Sequence, residues 1–173
     1  MNATDLQAKI RSIPDFPIEG ILFRDITPIL QDPASLSAAI DMMAQAYKDA
    51  RIDIVVGIEA RGYILGAPVA YQLGAGFVPV RKPGKLPYDK ISVAYALEYG
   101  TNTREMHKDA VEGGHRVLVV DDLLATGGTA SAVREMVEKL GGKIVGFAFL
   151  IELMALNGRA KLPGADVESF ITC

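Results

Sequence analysis

Four short apolar runs, each closed by polar or glycine residues, set the rhythm of this chain. Residues 52–58 (IDIVVGI), 77–80, 116–120 (RVLVV) and 143–150 are rich in β-branched and aliphatic side chains. Runs of that length and composition predict strands buried on both faces. Between them, residues 63–73 and 129–140 read as helices. In the second, Val133, Met136, Val137 and Leu140 share one face, and Gly141-Gly142 mark its end. Alternating strands and helices predict an α/β fold: a twisted, mainly parallel sheet flanked by helices.

The remaining segments break this alternation. Thr4 and Gln7 have capping-box spacing and predict a helix over residues 5–11. Pro14, Pro17, Gly20 and Pro28 predict an irregular arm, so residues 1–31 form a hood. Asp32 followed by Pro33 predicts an N-cap and first turn, with the helix running to about residue 49. Residues 82–99 carry Pro83, Gly84 and Pro87, then the alternating Ile91, Val93, Tyr95 and Leu97, and predict a hairpin or flexible flap with a mobile tip. Asn102 and Glu105 resemble a capping pair that opens a short helix. With no linker or repeat, residues 1–173 read as one domain. A chain of this size buries about 70% of its unfolded surface and needs no disulfide.

Charge and cysteine narrow the class. Eighteen basic and 21 acidic residues are mixed along the chain, a net charge of −3. That argues against a nucleic-acid binder, which carries a basic face. No apolar run approaches the ~20 residues of a membrane span, and the opening MNATDLQAKI lacks the pattern of a secretory signal. A single cysteine, Cys173, makes no internal bridge, so the expected setting is reducing and cytoplasmic. His107 and His115 are isolated and read as a solvated helix residue and a loop residue.

In a parallel sheet, ligands sit beyond the carboxyl ends of the strands. Four such ends concentrate charge and glycine: Glu59-Ala60-Arg61-Gly62, Arg81-Lys82-Pro83-Gly84-Lys85, Asp121 onward, and Glu152-Leu153. The most informative is Val119-Val120-Asp121-Asp122-Leu123-Leu124-Ala125-Thr126-Gly127-Gly128-Thr129. Two carboxylates end a strand, and a loop of glycines and hydroxyls opens a helix. Unpaired amides at a helix start, aided by the helix dipole, receive a phosphate. Carboxylates just before that cradle accept hydrogen bonds from paired sugar hydroxyls and favour positive charge at an anomeric carbon. Taken alone, acid pairs at strand ends also hold Mg²⁺, and Gly-Gly also makes a plain tight turn. The chain has no G-x-x-x-x-G-K-[ST] and no strand-borne G-x-G-x-x-G, which counts against P-loop and dinucleotide-binding proteins.

The full string resembles the phosphoribosyl pyrophosphate motif of type I phosphoribosyltransferases. Residues 16–28 (FPIEGILFRDITP), Glu59 to Gly62, residues 81–87 (RKPGKLP) and Leu97-Glu98-Tyr99-Gly100 are similar to signatures of the adenine phosphoribosyltransferase family. The resemblance runs in order over residues 13–158. It implies purine salvage, with adenine and 5-phosphoribosyl 1-pyrophosphate giving AMP and pyrophosphate. Another purine phosphoribosyltransferase, or a non-catalytic regulator that senses phosphoribosyl pyrophosphate, is the alternative.

The resemblance also implies roles. Asp121 and Asp122 hold the ribose hydroxyls, and Ala125, Thr126, Gly127, Gly128 and Thr129 bind the 5′-phosphate. Glu59, Ala60 and Arg61 form a pyrophosphate loop with a non-proline cis peptide at Glu59–Ala60. Arg81, Lys82 and Lys85 add positive charge at the pyrophosphate. Phe23 stacks on adenine between Leu22 and Leu153, and the backbone near Arg24 reads its Watson–Crick edge. Glu98 acts at N7 of the base and Tyr99 covers the site. Mg²⁺ is bound mainly through phosphoribosyl pyrophosphate, with no dedicated protein ligands, and a homodimer is expected.

Overall fold

The computed structural model describes every residue except 97–99. A capped helix opens the chain: α1 (Ala3–Gln7), in which Asn2 Oδ1 accepts from the Asp5 amide and the Asp5 carboxylate accepts from the Asn2 amide. The capping box therefore sits two residues ahead of the expected Thr4–Gln7 pair. Asparagine is as good a cap as threonine, and Asp5 also places negative charge in the first turn. Two short strands, β1 (Arg11–Ile13) and β2 (Phe23–Asp25), pair antiparallel within the hood. A short helix α2 (Thr27–Gln31) leads to α3 (Pro33–Tyr47), which starts as expected with Asp32 accepting from the Ser35 amide.

The predicted alternation follows: β3 (Ile54–Ile58), α4 (Arg61–Leu73), β4 (Gly76–Val80), then β7 (Arg116–Leu124), α5 (Gly128–Lys139), β8 (Lys143–Glu152) and β9 (Val167–Thr172). All five strands are parallel, in the order β4-β3-β7-β8-β9. The period-two alternation of a strand divides the core. Val55, Leu118, Val120 and Ala148 face α3 and α4, while Val56, Val117, Val119 and Phe147 face α5. The sequence expectation of a strand was missing at β9, whose VESFIT pattern is short and half polar.

Between β4 and β7 lies a hairpin, β5 (Lys90–Ala96) and β6 (Thr101–His107), paired from Lys90↔His107 to Ala96↔Thr101. Asn102 and Glu105 therefore belong to a strand and open no helix. Pairing satisfies the β5 backbone and buries Met106 and Glu105, which outweighs a local capping signal. His107 lies at the end of β6 with its Nε2 buried, edge-on to Tyr88 at 6.1 Å, and is not the solvated helix residue expected. His115 is in a loop as expected, its Nδ1 accepting from the Glu112 amide.

The strand order reverses between β3 and β7: β4 lies to one side of β3, and β7, β8 and β9 lie to the other. Ligand sites of open α/β sheets form at such a switch. Here the switch brings Glu59-Ala60-Arg61 beside Asp121-Asp122.

Candidate active site

At the carboxyl edge of the sheet, Ile58, Glu59, Ala60, Arg61, Arg104, Asp121, Asp122, Leu123 and Thr129 line a cleft of about 250 Å³. A smaller cavity of about 70 Å³ adjoins it, lined by residues 123–130 with Asp121 and Phe149. The five residues expected to cradle a phosphate, Ala125, Thr126, Gly127, Gly128 and Thr129, all line this second cavity.

Gly127 adopts φ +78°. A Cβ there would stand 2.3 Å from the carbonyl oxygen of Gly158, whose own Cβ would stand 2.3 Å from the carbonyl oxygen of Ala125. The cradle is thus backed by a second loop, the 3₁₀ turns Met154–Leu156 and Gly158–Lys161. That loop is tied down by Glu152, 2% exposed, whose carboxylate accepts from Arg159 Nε at 2.8 Å and Nη2 at 2.8 Å, and from the Ser169 hydroxyl. Arg159 holds the Glu152 carboxyl below its ordinary range, against burial and helped by Ser169.

Asp121 and Asp122 stand at the join of the two cavities. Asp121 Oδ1 accepts from the Asp122 amide at 2.8 Å. Burial, then the adjacent Asp122 charge, pushes the Asp121 carboxyl well above the usual carboxylate range. Burial also raises Asp122, and the Arg61 guanidinium opposes it. Arg61 Nε is 2.8 Å from Asp122 Oδ2. Among the described residues that oxygen nevertheless lacks a well-aimed donor, so the contact is an ion pair by proximity and leaves acceptor capacity unmet.

Arg61 has a second neighbour. Its guanidinium carbon lies 5.1 Å from the centre of the Phe23 ring, which also meets Phe16 edge-on at 5.1 Å. One side chain therefore spans from the face expected to stack on a base to a carboxylate expected to hold ribose. The Glu59–Ala60 peptide preceding it is cis.

The other expected residues spread more widely. Burial acts to raise the Glu59 carboxyl, but the Lys82 amide at 2.9 Å and Arg81 Nε at 3.2 Å outweigh it and hold it low. Arg81 also donates to the Lys85 carbonyl at 3.3 Å, so its guanidinium braces the loop, while the Lys82 and Lys85 side chains are exposed. Arg24 turns its side chain to Ser12, donating to Oγ, and is not part of the cleft lining. Leu22 is exposed, and Leu153 is half-buried with its amide on the Leu124 carbonyl. Glu98 and Tyr99 lie outside the described residues.

The phosphoribosyl transferase domain family matches residues 25–168. A curated adenine phosphoribosyltransferase of Solibacter usitatus is 58% identical over 167 residues, 96% of each chain. The chain belongs to the adenine phosphoribosyltransferase family. Its fold agrees with solved members of that family. The enzyme of Thermoanaerobacter pseudethanolicus superposes with a TM-score of 0.97 at 52% identity, covering 99% of this chain and 100% of the other. The Saccharomyces cerevisiae enzyme, solved with adenine and an imino-altritol bisphosphate, gives 0.92 at 41% identity over 97% of each chain.

Three contacts at the site had no sequence expectation. Tyr95 reaches from the hairpin to place its hydroxyl 2.8 Å from Thr129 Oγ1. Arg104 lines the cleft from β6, and the Glu152–Arg159 pair supports the cradle from behind. The alternation of β5 placed Tyr95 on the same face as Val93. The partner it meets depends on how the hairpin folds over α5, which no local pattern records. The Tyr95–Thr129 contact sets the β5–β6 hairpin against the start of α5.

Proposed function

We propose that this chain converts adenine and 5-phosphoribosyl 1-pyrophosphate to AMP and pyrophosphate. One observation carries the reading: an amide-lined phosphate cradle abuts two carboxylates, with an aromatic face on the far side of Arg61. That order matches phosphate, ribose and base along a nucleotide. The relative of Saccharomyces cerevisiae was solved with adenine, which supports the same ligand here.

In this reading the Ala125–Thr129 amides and hydroxyls fix the 5′-phosphate. Asp121 and Asp122 accept from the ribose hydroxyls, and their charge favours the positive ring that forms as pyrophosphate departs. Arg61 leaves Asp122 for the pyrophosphate, which opens the Phe23 face to adenine. Adenine N9 then attacks C1′ as the C1′–oxygen bond to pyrophosphate breaks. Lys82 and Lys85 add cations near the leaving group, Leu22 and Leu153 flank the base, Glu98 acts at N7 of the base and Tyr99 covers the site. The backbone around Arg24 accepts from the 6-amino group and donates to N1, a pattern that a 6-oxopurine leaves unpaired.

The cleft offers only oxygen donors besides its arginines, and Asp122 Oδ2 has unmet acceptor capacity, a set that suits hydrated Mg²⁺. Among the described residues no three acids, histidines or cysteines cluster as a metal cage, so Asp121 and Asp122 would meet the ion through water or substrate. Bound with the substrate, Mg²⁺ supplies charge neutralisation on the pyrophosphate. Exposed apolar side chains on the hood (Phe16, Ile18, Ile21) and on α4 (Ile64, Tyr71) support a homodimer. A cytoplasmic setting fits the lone Cys173.

The test mixes protein, Mg²⁺ and phosphoribosyl pyrophosphate with adenine, guanine, hypoxanthine or xanthine in turn and follows nucleotide formation. AMP from adenine alone is the expected result; preference for a 6-oxopurine, or no nucleotide at all, overturns the reading.

A further inference from the structure

Arg104 is the one cation in the cleft lining whose guanidinium has no acidic partner among the described residues. Arg61 pairs with Asp122, and Arg81, just outside, pairs with Glu59. Arg104 Nη1 donates to the neighbouring Thr103 carbonyl at 3.0 Å, while its Nε is buried and has no acceptor among the described residues. A buried, unmet charged donor is costly unless something else completes it.

Its position is fixed by the hairpin. Arg104 lies opposite Val93 in the β5–β6 register, and its guanidinium carbon stands 5.8 Å from the centre of the Tyr95 ring. Tyr95 is itself anchored, by its hydroxyl on Thr129 and by its ring against Gly128, where a Cβ would stand 2.9 Å from Cδ2. Cation–π contact with an immobilised ring orients the guanidinium without consuming its N–H groups. The result is an oriented guanidinium in the wall of the cleft that Glu59, Ala60 and Arg61 also line.

We propose that Arg104 is a further substrate-binding residue that receives the diphosphate group of phosphoribosyl pyrophosphate, an inference that rests on the reaction proposed above. The diphosphate is favoured over the 5′-phosphate by placement. Arg104 lines the larger cleft with Glu59, Ala60 and Arg61, and is absent from the lining of the Ala125–Thr129 cradle. A guanidinium matches two phosphate oxygens with paired N–H groups and stays charged at every working pH.

The experiment compares wild type with Arg104→Gln and Arg104→Lys. Binding of Mg²⁺-pyrophosphate and of AMP is measured by titration calorimetry, alongside KM for each substrate and the melting temperature. AMP has a 5′-phosphate and no diphosphate, so it separates the two sites. Loss of one charge-assisted contact should weaken pyrophosphate binding and raise KM for phosphoribosyl pyrophosphate about tenfold in Arg104→Gln. Affinity for AMP and KM for adenine should stay within about twofold, and Arg104→Lys should recover part of the loss. Unchanged pyrophosphate affinity in Arg104→Gln, or a parallel loss for AMP, overturns the proposal. If Arg104→Gln does not fold, a pyrophosphate affinity in Arg104→Lys equal to wild type overturns it and a selective loss sustains it. Should wild type make no AMP, the proposed reaction fails, and pyrophosphate binding still decides the place of Arg104.

Discussion

The Nε of Arg61 lies 2.8 Å from Oδ2 of Asp122, at the meeting point of β3's loop and β7's end. Asp122 is 4% exposed, and its ordinary tendency once buried is to hold its proton. The Arg61 guanidinium opposes that upward shift, and in the proposed reaction the same carboxylate accepts from ribose hydroxyls. Asp122→Ala should cut kcat by about 10² or more, the scale on which a placed electrostatic group acts. A turnover near wild type in that variant, with substrate saturating, removes Asp122 from the chemistry.

Asp121 carries a cost in the free protein that its removal should reveal. Burial and the Asp122 charge raise its carboxyl well above the unfolded value of 3.8. The folded chain therefore binds a proton more readily than the unfolded one. The stability this group contributes is complete below pH 3.8 and is lost as pH rises through the folded value. Asp121→Asn keeps an acceptor for the Asp122 amide and does not ionise. It should melt higher than wild type at neutral pH, by about 2–4 °C for each kcal/mol regained. The difference should shrink as pH falls toward the unfolded value. Melting curves across pH 4 to 8 test this; a variant that melts lower at neutral pH contradicts it. Lower activity is expected alongside, as site residues exchange stability for function.

Gly127 and Gly158 are each packed against a carbonyl oxygen, and neither neighbour is a flexible side chain. In Gly127→Ala the new Cβ meets the Gly158 oxygen at 2.3 Å in a backbone conformation of φ +78°. In Gly158→Ala the conflict is steric alone, 2.3 Å from the Ala125 oxygen. Both should lose about 1–3 kcal/mol of stability, with Gly127→Ala the worse because its dihedral also resists a side chain. Both should weaken AMP binding more than adenine binding, since the displaced loop is the proposed phosphate cradle. Equal AMP affinity in wild type and both variants would show that the cradle does not hold the phosphate.

The strands that position the site were readable because each is a continuous apolar run, and that pattern survives without tertiary information. The Asp121–Thr129 string was readable as a candidate for a similar reason: the whole proposed phosphate cradle is local in sequence. What sequence missed is what depends on partners far along the chain. Arg104 looked like part of a capping segment because Asn102 and Glu105 mimic one, and only pairing with β5 turns that segment into a strand. Arg81 was expected at the pyrophosphate, and its pairing with Glu59, 22 residues earlier, is not visible in local spacing. The span of Arg61 from Asp122 to Phe23 joins β7 to the hood, and no spacing rule links residues so far apart.

Support for the cradle from behind should show its own dependence on acid. Glu152 is almost fully buried and takes three donors from Arg159 and Ser169, while the Arg159 side chain is 45% exposed. Arg159 lowers the folded carboxyl below its unfolded value of 4.5. The resulting stability is present above pH 4.5 and is lost as pH falls through the folded value. Arg159→Ala strands a buried charge and should cost about 2–3 kcal/mol, below the range for a fully buried broken pair because the arginine is half in water. Arg159→Lys keeps the charge without the fork and should recover only part. Urea titrations at pH 7 and pH 4 distinguish this from loss of packing. A charge-pair loss should be large at neutral pH and diminish in acid, whereas an equal loss at both pH values would assign Arg159 to packing alone. Because the same arginine seats Gly158 behind Gly127, the alanine variant should also bind AMP more weakly while still saturating with adenine at wild-type concentrations.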